Sequence, residues 1–249
     1  MNTLAARLQE AAGRNLHEKI ANTIGTAIVG GNPPPGHALP PEVELCAQLR
    51  VSRSALREAF KLLVAKRLIQ SRQKIGTVVR PHSEWNMLDP EVLGWHLSDA
   101  PTDAFVYGLF EMRRIIEPEA AALAAQRRNP AQLVALQKAL ADMVRTQGDV
   151  GSLTEADLRF HQIILDSTGN PFMATFGALV ESALVASFRL SWDGGARTPD
   201  YALRQHAAVA EAVAAGSPLE ARTAMTELLA SAAHDVGGSL ARRSGMTRS

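Results

Sequence analysis

Residues 51–80 read VSRSALREAFKLLVAKRLIQSRQKIGTVVR, and a change of periodicity within them decides the fold of the front of the chain. Apolar residues first recur at helical spacing, and Ser52 is suited to cap that helix because its hydroxyl can accept a hydrogen bond from an unpaired backbone N–H. After Leu68 the pattern changes to two short strands, LIQSR and GTVVR, with a turn that contains Gly76 between them. The stretch therefore predicts a helix followed by a β-hairpin.

Two further helices are predicted before this stretch. The apolar residues between Leu16 and Ile28 have helical spacing, and Gly30 and Gly31 end that helix. A second helix begins near Pro41, because proline is tolerated in a first turn, where no N–H donor is needed. Three helices and a hairpin predict a winged helix-turn-helix, whose third helix enters a DNA groove.

The charge distribution favours a polyanionic partner for the front of the chain. The whole protein carries a net charge of +1, but residues 1–80 hold 12 Lys and Arg against 5 Asp and Glu, whereas residues 81–249 hold 14 against 20. Opposite signs in two parts of a chain suggest two domains with different partners. A basic first domain fits DNA, although a solvated charged surface would have the same composition.

The third predicted helix carries its cations on one face. Arg53 and Arg57 lie four residues apart and Lys61 follows one turn later, so the three share a side of the helix. Arginine can donate two hydrogen bonds to guanine in the major groove, and serines can bond phosphates or bases. The candidate DNA contacts on this helix and in the hairpin turn are Ser52, Arg53, Ser54, Arg57, Lys61, Arg72 and Lys74. A solvated cationic helix is the alternative interpretation.

The rest of the chain is predicted to be helical. Residues 11–80 are predicted to form the DNA-binding domain, and residues 81–101 are predicted to form a linker with a short helix. Residues 102–236 show only helical periodicity and predict a bundle of six or seven helices, whereas residues 237–249 are expected to be a disordered tail. Pro118 is expected to bend or interrupt the first helix of the bundle, and Ser152 with Glu155 is predicted to form a capping box.

Composition predicts a cytoplasmic protein. The single cysteine, Cys46, excludes an intrachain disulfide and suits a reducing compartment. The first 20 residues have no apolar core of a secretory signal, and no apolar run approaches the roughly 20 residues of a membrane-spanning helix. We therefore expect no membrane partner.

Three polar residues of the helical region form a candidate metal site. Asp157 and His161 lie at i and i+4, so they share one face of a helix and could chelate an ion together. His206 lies on a later helix and could complete the site. The alternative is a set of hydrogen-bonded core residues without an ion.

Residues 39–79, LPPEVELCAQLRVSRSALREAFKLLVAKRLIQSRQKIGTVV, closely resemble the DNA-binding domain of GntR-family bacterial transcription regulators. The resemblance implies that Ser52, Arg53, Ser54 and Arg57 contact DNA from the recognition helix and that Gly76 is the glycine of the wing tip. The chain departs from the family at Val43, where an arginine is common, and so lacks one expected DNA contact.

The motifs FEMRRIIEPEAAALAA and DLRFHQIILDSTGN resemble the FCD ligand-binding domain of the FadR subfamily. That resemblance implies a divalent metal ion, zinc or similar, bound by Asp157, His161 and His206. The family's last histidine is replaced by Leu228, and His234 lies about 240° further around the helix, so it cannot take that place. Either water or the effector completes the coordination, or the site has no ion and its polar groups bind the effector.

The same resemblance identifies Arg113 with the family's pocket arginine, a partner for a carboxylate; an ion pair with Glu117 at i+4 is the alternative. The segments SEWNMLDPEVLGWHL and FRLSW resemble the repressors of galactonate catabolism in this subfamily. This implies a sugar acid such as D-galactonate as the effector. Trp192 could then be a wall or lid that stacks on the sugar, or could simply pack at a helix end.

Together these features predict a mainly α-helical, homodimeric repressor that is not an enzyme and is released from operator DNA by a sugar acid. Paired recognition helices match two half-sites, and an effector with different affinities for two states of the protein shifts DNA binding. Another small carboxylate or an acyl group is an alternative effector. A metalloenzyme that uses Asp157, His161 and His206 is the alternative from another class of protein.

Overall fold

In a computed structural model the chain forms two compact units, residues 1–100 and 101–249. The structure describes the backbone of residues 4–98, 101–191 and 199–246; within these ranges the side chains of residues 4–15, 189–191, 199 and 243–246 are not described. Each unit has a hydrophobic core of its own.

The first unit contains the predicted winged helix-turn-helix. Its elements are α1 (Leu4–Val29), α2 (Glu42–Leu49), α3 (Arg53–Ala65), β1 (Ile69–Arg72), β2 (Gly76–Val79), a short 3-10 helix (His82–Glu84) and α4 (Pro90–Ser98). The hairpin is antiparallel, with Arg72 opposite Gly76. The three helices and the two-stranded wing predicted from the sequence are confirmed.

The recognition helix α3 begins and packs as its sequence predicts. The hydroxyl of Ser52 accepts a hydrogen bond from the backbone N–H of Ala55 at 3.2 Å. Leu56, Ala59 and Leu63 lie on one face of α3 and are fully buried against the core that includes α1. The opposite face is thereby left to solvent.

The segment predicted as a linker contributes a helix to the first unit. Helix α4 packs on α1, where the Trp95 indole N–H donates to Asn22 Oδ1 at 2.6 Å and the ring lies against Gly25. Lys66, at the end of α3, donates to Asp89, which precedes α4, at 2.9 Å. Val92 and Trp95 are buried in the same core as α1 and α3.

Gly25→Ala is expected to destabilise the first unit by roughly 1–3 kcal/mol, because the new Cβ overlaps a buried ring. That Cβ would lie 2.6 Å from Trp95, whose side chain is buried. The measurement is the urea midpoint followed by tryptophan fluorescence. Gly94→Ala, in α4 itself, is the matched control because its Cβ meets nothing within 4 Å. Equal effects of the two substitutions would contradict the close packing at Gly25.

The second unit is helical throughout its described residues. Its helices are α5 (Asp103–Arg127), α6 (Pro130–Arg145), α7 (Val150–Ser167), α8 (Pro171–Ala174), α9 (Gly177–Ser191), α10 (Pro199–Ala215) and α11 (Pro218–Met246). These seven helices agree with the predicted six or seven. Helix α11 packs along α5 and α10, and α7 packs against α5, α6 and α9.

Two local predictions differ from the structure. The N-cap of α7 is Asp149 rather than Ser152, because the Asp149 carboxylate accepts both the N–H and the hydroxyl of Ser152. Pro118 does not interrupt α5, which continues as one helix from Asp103 to Arg127. The proline ring is buried, so packing compensates for the missing N–H.

The tail predicted to be disordered from residue 237 is helical as far as Met246. Val236, Ser239 and Leu240 are buried, which continues the inward face of α11 beyond the pair Gly237–Gly238. Tertiary packing of this face therefore outweighs the low helix propensity of the two glycines.

One stretch, residues 171–188, is apolar enough to cross a membrane, with a mean hydropathy of 1.4. It divides into α8 and α9, and Val180 and Leu184 of α9 lie in the core of the bundle. Core packing thus uses the buried part of this stretch, which is 39% of it.

Candidate functional site

The exposed face of α3 carries the candidate DNA contacts. Ser52, Arg53, Ser54, Arg57 and Lys61 are all exposed, opposite the buried face of the helix. The Ser52 hydroxyl is already engaged as the cap and lies 3.0 Å from the Ser54 hydroxyl. The structure therefore brings the five predicted residues of α3 onto one accessible surface.

Two carboxylates contact this basic surface, and neither pairing was predicted from the sequence. Glu42, at the start of α2, accepts a hydrogen bond from Arg57 Nε at 3.1 Å. Glu58 accepts from Lys61 at 2.7 Å within α3, and this bond lowers the pKa of the Glu58 carboxyl. The i,i+3 spacing could have revealed the second pair, whereas the first depends on how α2 crosses α3.

The hairpin turn presents the remaining candidates at the tip of the wing. Arg72, Lys74 and Gly76 are exposed. Lys74 and Gly76 have positive φ angles of 65° and 97°, and only glycine adopts the second region without strain. Arg72 and Lys74 thus lie on a short, solvent-facing turn, as the sequence predicts.

The second unit encloses a cavity of about 220 Å³. Its polar lining residues are Arg113, Gln147, Asp157, His161, Ser187, His206 and Asp235; its apolar walls include Met143, Leu184, Leu228 and Leu229. Gln147, Ser187 and Asp235 were not found from the sequence. Asp235 lies seven residues after Leu228 and therefore on the same face of α11, a spacing that could have revealed it.

The three predicted metal ligands meet at one end of this cavity. Asp157 Oδ1 lies 3.2 Å from His161 Nε2 and 3.0 Å from His206 Nε2, and all three residues are buried. Among the described side chains, only these three form a group whose ligand atoms lie within 4.8 Å of one another.

The hydrogen bonds of His206 support a cation at this position. Its Nδ1 lies 2.7 Å from the carbonyl oxygen of Ala202, so Nδ1 must carry a proton and donate it. The other ring nitrogen, Nε2, then faces the Asp157 carboxylate at 3.0 Å. Two electron-rich atoms at this distance need a proton or a metal ion between them, so the donor set fits a divalent ion.

Leu228 leaves one side of the cluster without a ligand. Its side chain is buried and lines the cavity, whereas His234 is exposed on α11 and does not line it. Three protein ligands with an open side are the arrangement in which water or a small molecule can complete the coordination. Trp192, the predicted wall or lid, lies outside the described residues.

Arg113 is both a cavity residue and a member of an ion pair. Its Nε donates to Glu117 Oε1 at 2.5 Å, and its Nη2 lies 3.2 Å from His161 Nε2. Glu117 Oε2 also contacts His161 Nδ1. The ion pair with Glu117 is thus present and Arg113 also lines the cavity, while Glu117 connects the arginine to the candidate metal ligands.

The charges of this cluster keep one another ionised although they are buried. Burial disfavours the Glu117 carboxylate, but Arg113 and His161 lower the pKa of Glu117 to about 2. Burial also disfavours a charged His161, but Glu117 raises the pKa of His161 to about 9. Despite burial, His206 and His161 hold the pKa of Asp157 well below its usual range. Because a ligating histidine must be neutral, an ion that binds here displaces the His161 proton.

A winged helix-turn-helix followed by a helical unit that contains a cavity is the architecture of a DNA-binding regulator with a second, helical domain. The chain belongs to the GntR family: residues 16–79 match "Bacterial regulatory proteins, gntR family" and residues 108–231 match the FCD domain. The predicted family and fold are confirmed.

Curated relatives agree with this assignment, and a solved structure agrees with the fold. The chain is 34% identical over 199 residues to the galactonate operon transcriptional repressor of Escherichia coli, covering 80% of this chain and 87% of that protein. It is 31% identical over 219 residues to a putative L-lactate dehydrogenase operon regulatory protein of E. coli, covering 85% and 83%. A solved structure, of Lar, which controls the Listeria monocytogenes agr system, matches with a TM-score of 0.63 at 20% identity, covering 89% of this chain and 96% of that one.

The protein is therefore a transcription regulator and not an enzyme. Both matching families and the relatives are regulators, so the metalloenzyme interpretation of Asp157, His161 and His206 is set aside.

Proposed function

We propose that this regulator is a cytoplasmic repressor of sugar-acid catabolism that leaves its operator when its helical unit binds a small hydroxycarboxylate such as D-galactonate. The observation that carries the proposal is the cavity of about 220 Å³ that has Arg113 and the Asp157–His161–His206 cluster in its wall. Similarity to a galactonate operon repressor over 80% of the chain supports this choice of effector.

Charge balance explains why a metal ion belongs to this proposal. The buried carboxylates of Glu117 and Asp157 offset the positive charge of Arg113, and Asp235 adds a further carboxylate to the lining, so the side chains alone offer an entering carboxylate little net attraction. A divalent ion held by Asp157, His161 and His206 would bring concentrated positive charge to the wall of the cavity, which favours an anion. Arg113 then orients the carboxylate from the side opposite Glu117, since a guanidinium has five donors and Glu117 engages only part of them.

The size and lining of the cavity disfavour an acyl effector. About 220 Å³ lies below the roughly 300–1,000 Å³ of pockets that hold drug-sized ligands, which favours a small effector over a long acyl chain. Gln147, Ser187 and Asp235 add polar groups to the lining, as the hydroxyl groups of a sugar acid require. A shorter hydroxy acid is the second candidate, supported by similarity to a regulator named for an L-lactate dehydrogenase operon.

DNA binding is proposed to use a homodimer and the domains expected from the sequence. Residues 11–80 bind the operator, residues 81–101 connect the domains, and residues 102–236 bind the effector. Two recognition helices related by two-fold symmetry match paired half-sites. A single recognition helix contacts too few base pairs for specific binding. The effector lowers operator affinity through its different affinities for the two states of the dimer.

D-Galactonate with Zn²⁺ is expected to raise the melting temperature of the full chain by several degrees, and a chelator is expected to abolish the shift. Saturation at about 100 times Kd stabilises the liganded unit by roughly 2.7 kcal/mol, and each kcal/mol raises the melting temperature of a domain of this size by roughly 2–4 °C. The measurement is a thermal-shift screen that includes L-lactate and decanoate.

His206→Ala is expected to abolish this shift, and His234→Ala, which removes an exposed histidine of α11, is the matched control. A shift produced by decanoate but not by either hydroxy acid would contradict the proposal, as would a galactonate shift that His206→Ala leaves intact.

A further inference from the structure

We infer that Glu42 is a positioning residue that fixes the guanidinium of Arg57 with its outer edge toward DNA and thereby contributes to sequence discrimination. The inference rests on the assignment of α3 as the recognition helix. It goes beyond that assignment because Glu42 lies on another helix and carries a charge that DNA repels.

The backbone around this pair is held firmly. Glu42 is the first residue of α2 and Arg57 lies in the second turn of α3, 15 positions further along the sequence. Arg50 ends α2 in the left-handed conformation, with φ of 55°, and its N–H bonds back to the carbonyl groups of the last turn. Leu45 and Leu56 anchor the two helices in the common core. The turn and the core therefore fix the backbone positions of Glu42 and Arg57, which keeps the two side chains within reach of each other.

The contact uses one particular donor of the arginine. Glu42 Oε2 accepts from Arg57 Nε at 3.1 Å, and Glu42 is the single hydrogen-bond partner of Arg57 among the residues that the structure describes. The Arg57 side chain keeps 67% of its surface exposed. Because Nε is engaged, the donors of the outer edge, on Nη1 and Nη2, remain for another partner.

An outer edge with two parallel donors matches the acceptors of guanine. In the major groove guanine presents O6 and N7, to which arginine donates two hydrogen bonds. A guanidinium whose plane is already fixed loses less side-chain entropy when it forms these bonds. Glu42 would then favour bonds to a base with two matching acceptors over bonds to a phosphate at any angle.

The rival role for Glu42 is simple electrostatic screening. Glu58, which contacts Lys61 at 2.7 Å along the same helix, offers the matched case because that contact fixes no arginine. A screening carboxylate lowers affinity for every DNA sequence alike, so its removal raises specific and non-specific binding together. A positioning carboxylate acts through Arg57, so its removal lowers the ratio of specific to non-specific affinity.

The test compares two duplexes, one enriched from a random-sequence library by the wild-type protein and one with the same bases shuffled. We expect Glu42→Ala to lower the ratio of the two affinities roughly tenfold, a part of the discrimination that a bidentate arginine provides. Glu42→Gln keeps an acceptor oxygen and is expected to retain most of the ratio. Glu58→Ala is expected to raise both affinities and leave their ratio unchanged.

A double-mutant cycle shows whether Glu42 acts through Arg57. In the Arg57→Ala background, Glu42→Ala is expected to leave the affinity ratio unchanged, because there is no guanidinium to position. Melting temperatures are expected to change by less than about 2 °C, since an exposed ion pair contributes little to stability.

Three results would overturn the inference. They are a Glu42→Ala variant that binds both duplexes more tightly as Glu58→Ala does, a Glu42→Gln variant as impaired as Glu42→Ala, and an effect of Glu42→Ala that persists without Arg57. In each of these cases the role of α3 stands. A wild-type protein that enriches no sequence would overturn the assignment of α3 together with the inference, whereas effector binding by the helical unit is unaffected by any of these outcomes.

Discussion

Glu117→Ala is expected to destabilise the helical unit by about 3–5 kcal/mol, because it leaves the buried charge of Arg113 without its partner. Arg113 and Glu117 have almost no exposed side-chain surface, and Glu117 also contacts His161. The measurement is the free energy of unfolding in urea, followed by far-UV circular dichroism in the presence of a chelator so that no ion contributes.

The neighbouring Glu119 provides the control for this prediction. It lies two residues further along α5 and forms a two-bond pair with Arg222 at 2.7 Å, but both side chains are about half exposed. Glu119→Ala is expected to cost about 0–1 kcal/mol. The double variant Arg113→Met/Glu117→Leu is expected to recover most of the stability, since an apolar pair can replace a buried ion pair. Equal losses for Glu117→Ala and Glu119→Ala would contradict the role given to burial.

Arg57→Ala is expected to weaken binding to the library-enriched duplex on the order of 100-fold, since a bidentate arginine contributes roughly 1–3 kcal/mol and a dimer would lose two. Most of the Arg57 side chain is exposed, so the fold should be unaffected. The measurement is a fluorescence-anisotropy titration at one fixed salt concentration, with the melting temperature as the check on folding.

Arg114→Ala is the matched control, because Arg114 is an exposed arginine in the other unit. It removes the same charge and is expected to leave DNA affinity nearly unchanged. If Arg57→Ala retained wild-type affinity, α3 would not be the helix that recognises DNA.

Local signals allowed much of the fold to be predicted from the sequence. Ser52 caps α3 as expected, and the change from helical to strand periodicity after Leu68 correctly predicted the hairpin. Asp149 was missed as the cap of α7 because Asp149 and Ser152 are both residue types that cap helices. Only the backbone conformation decides between them. The helical tail was missed because the low helix propensity of Gly237 and Gly238 predicts a break in the helix. Packing of the apolar face of α11 stabilises the helix beyond these two residues.

The candidate site was predictable as far as it depends on spacing within one helix. Asp157 and His161 share a face of α7, and His206 joins them as expected. The contact of Glu117 with His161 joins residues 44 positions apart, and the pairing of Glu42 with Arg57 depends on a crossing angle. Neither has a signature in the linear sequence, because tertiary packing alone sets these distances.

Helix α4 changes what counts as the smallest autonomous fragment of the DNA-binding part. A fragment that stops at Arg80 would retain every candidate DNA contact, yet it would lack Trp95 and Val92 and leave the α1 surface around Gly25 bare. An exposed apolar surface of this kind promotes aggregation, and aggregated protein on DNA could be mistaken for multimeric binding. The covered fragment ends after Ser98.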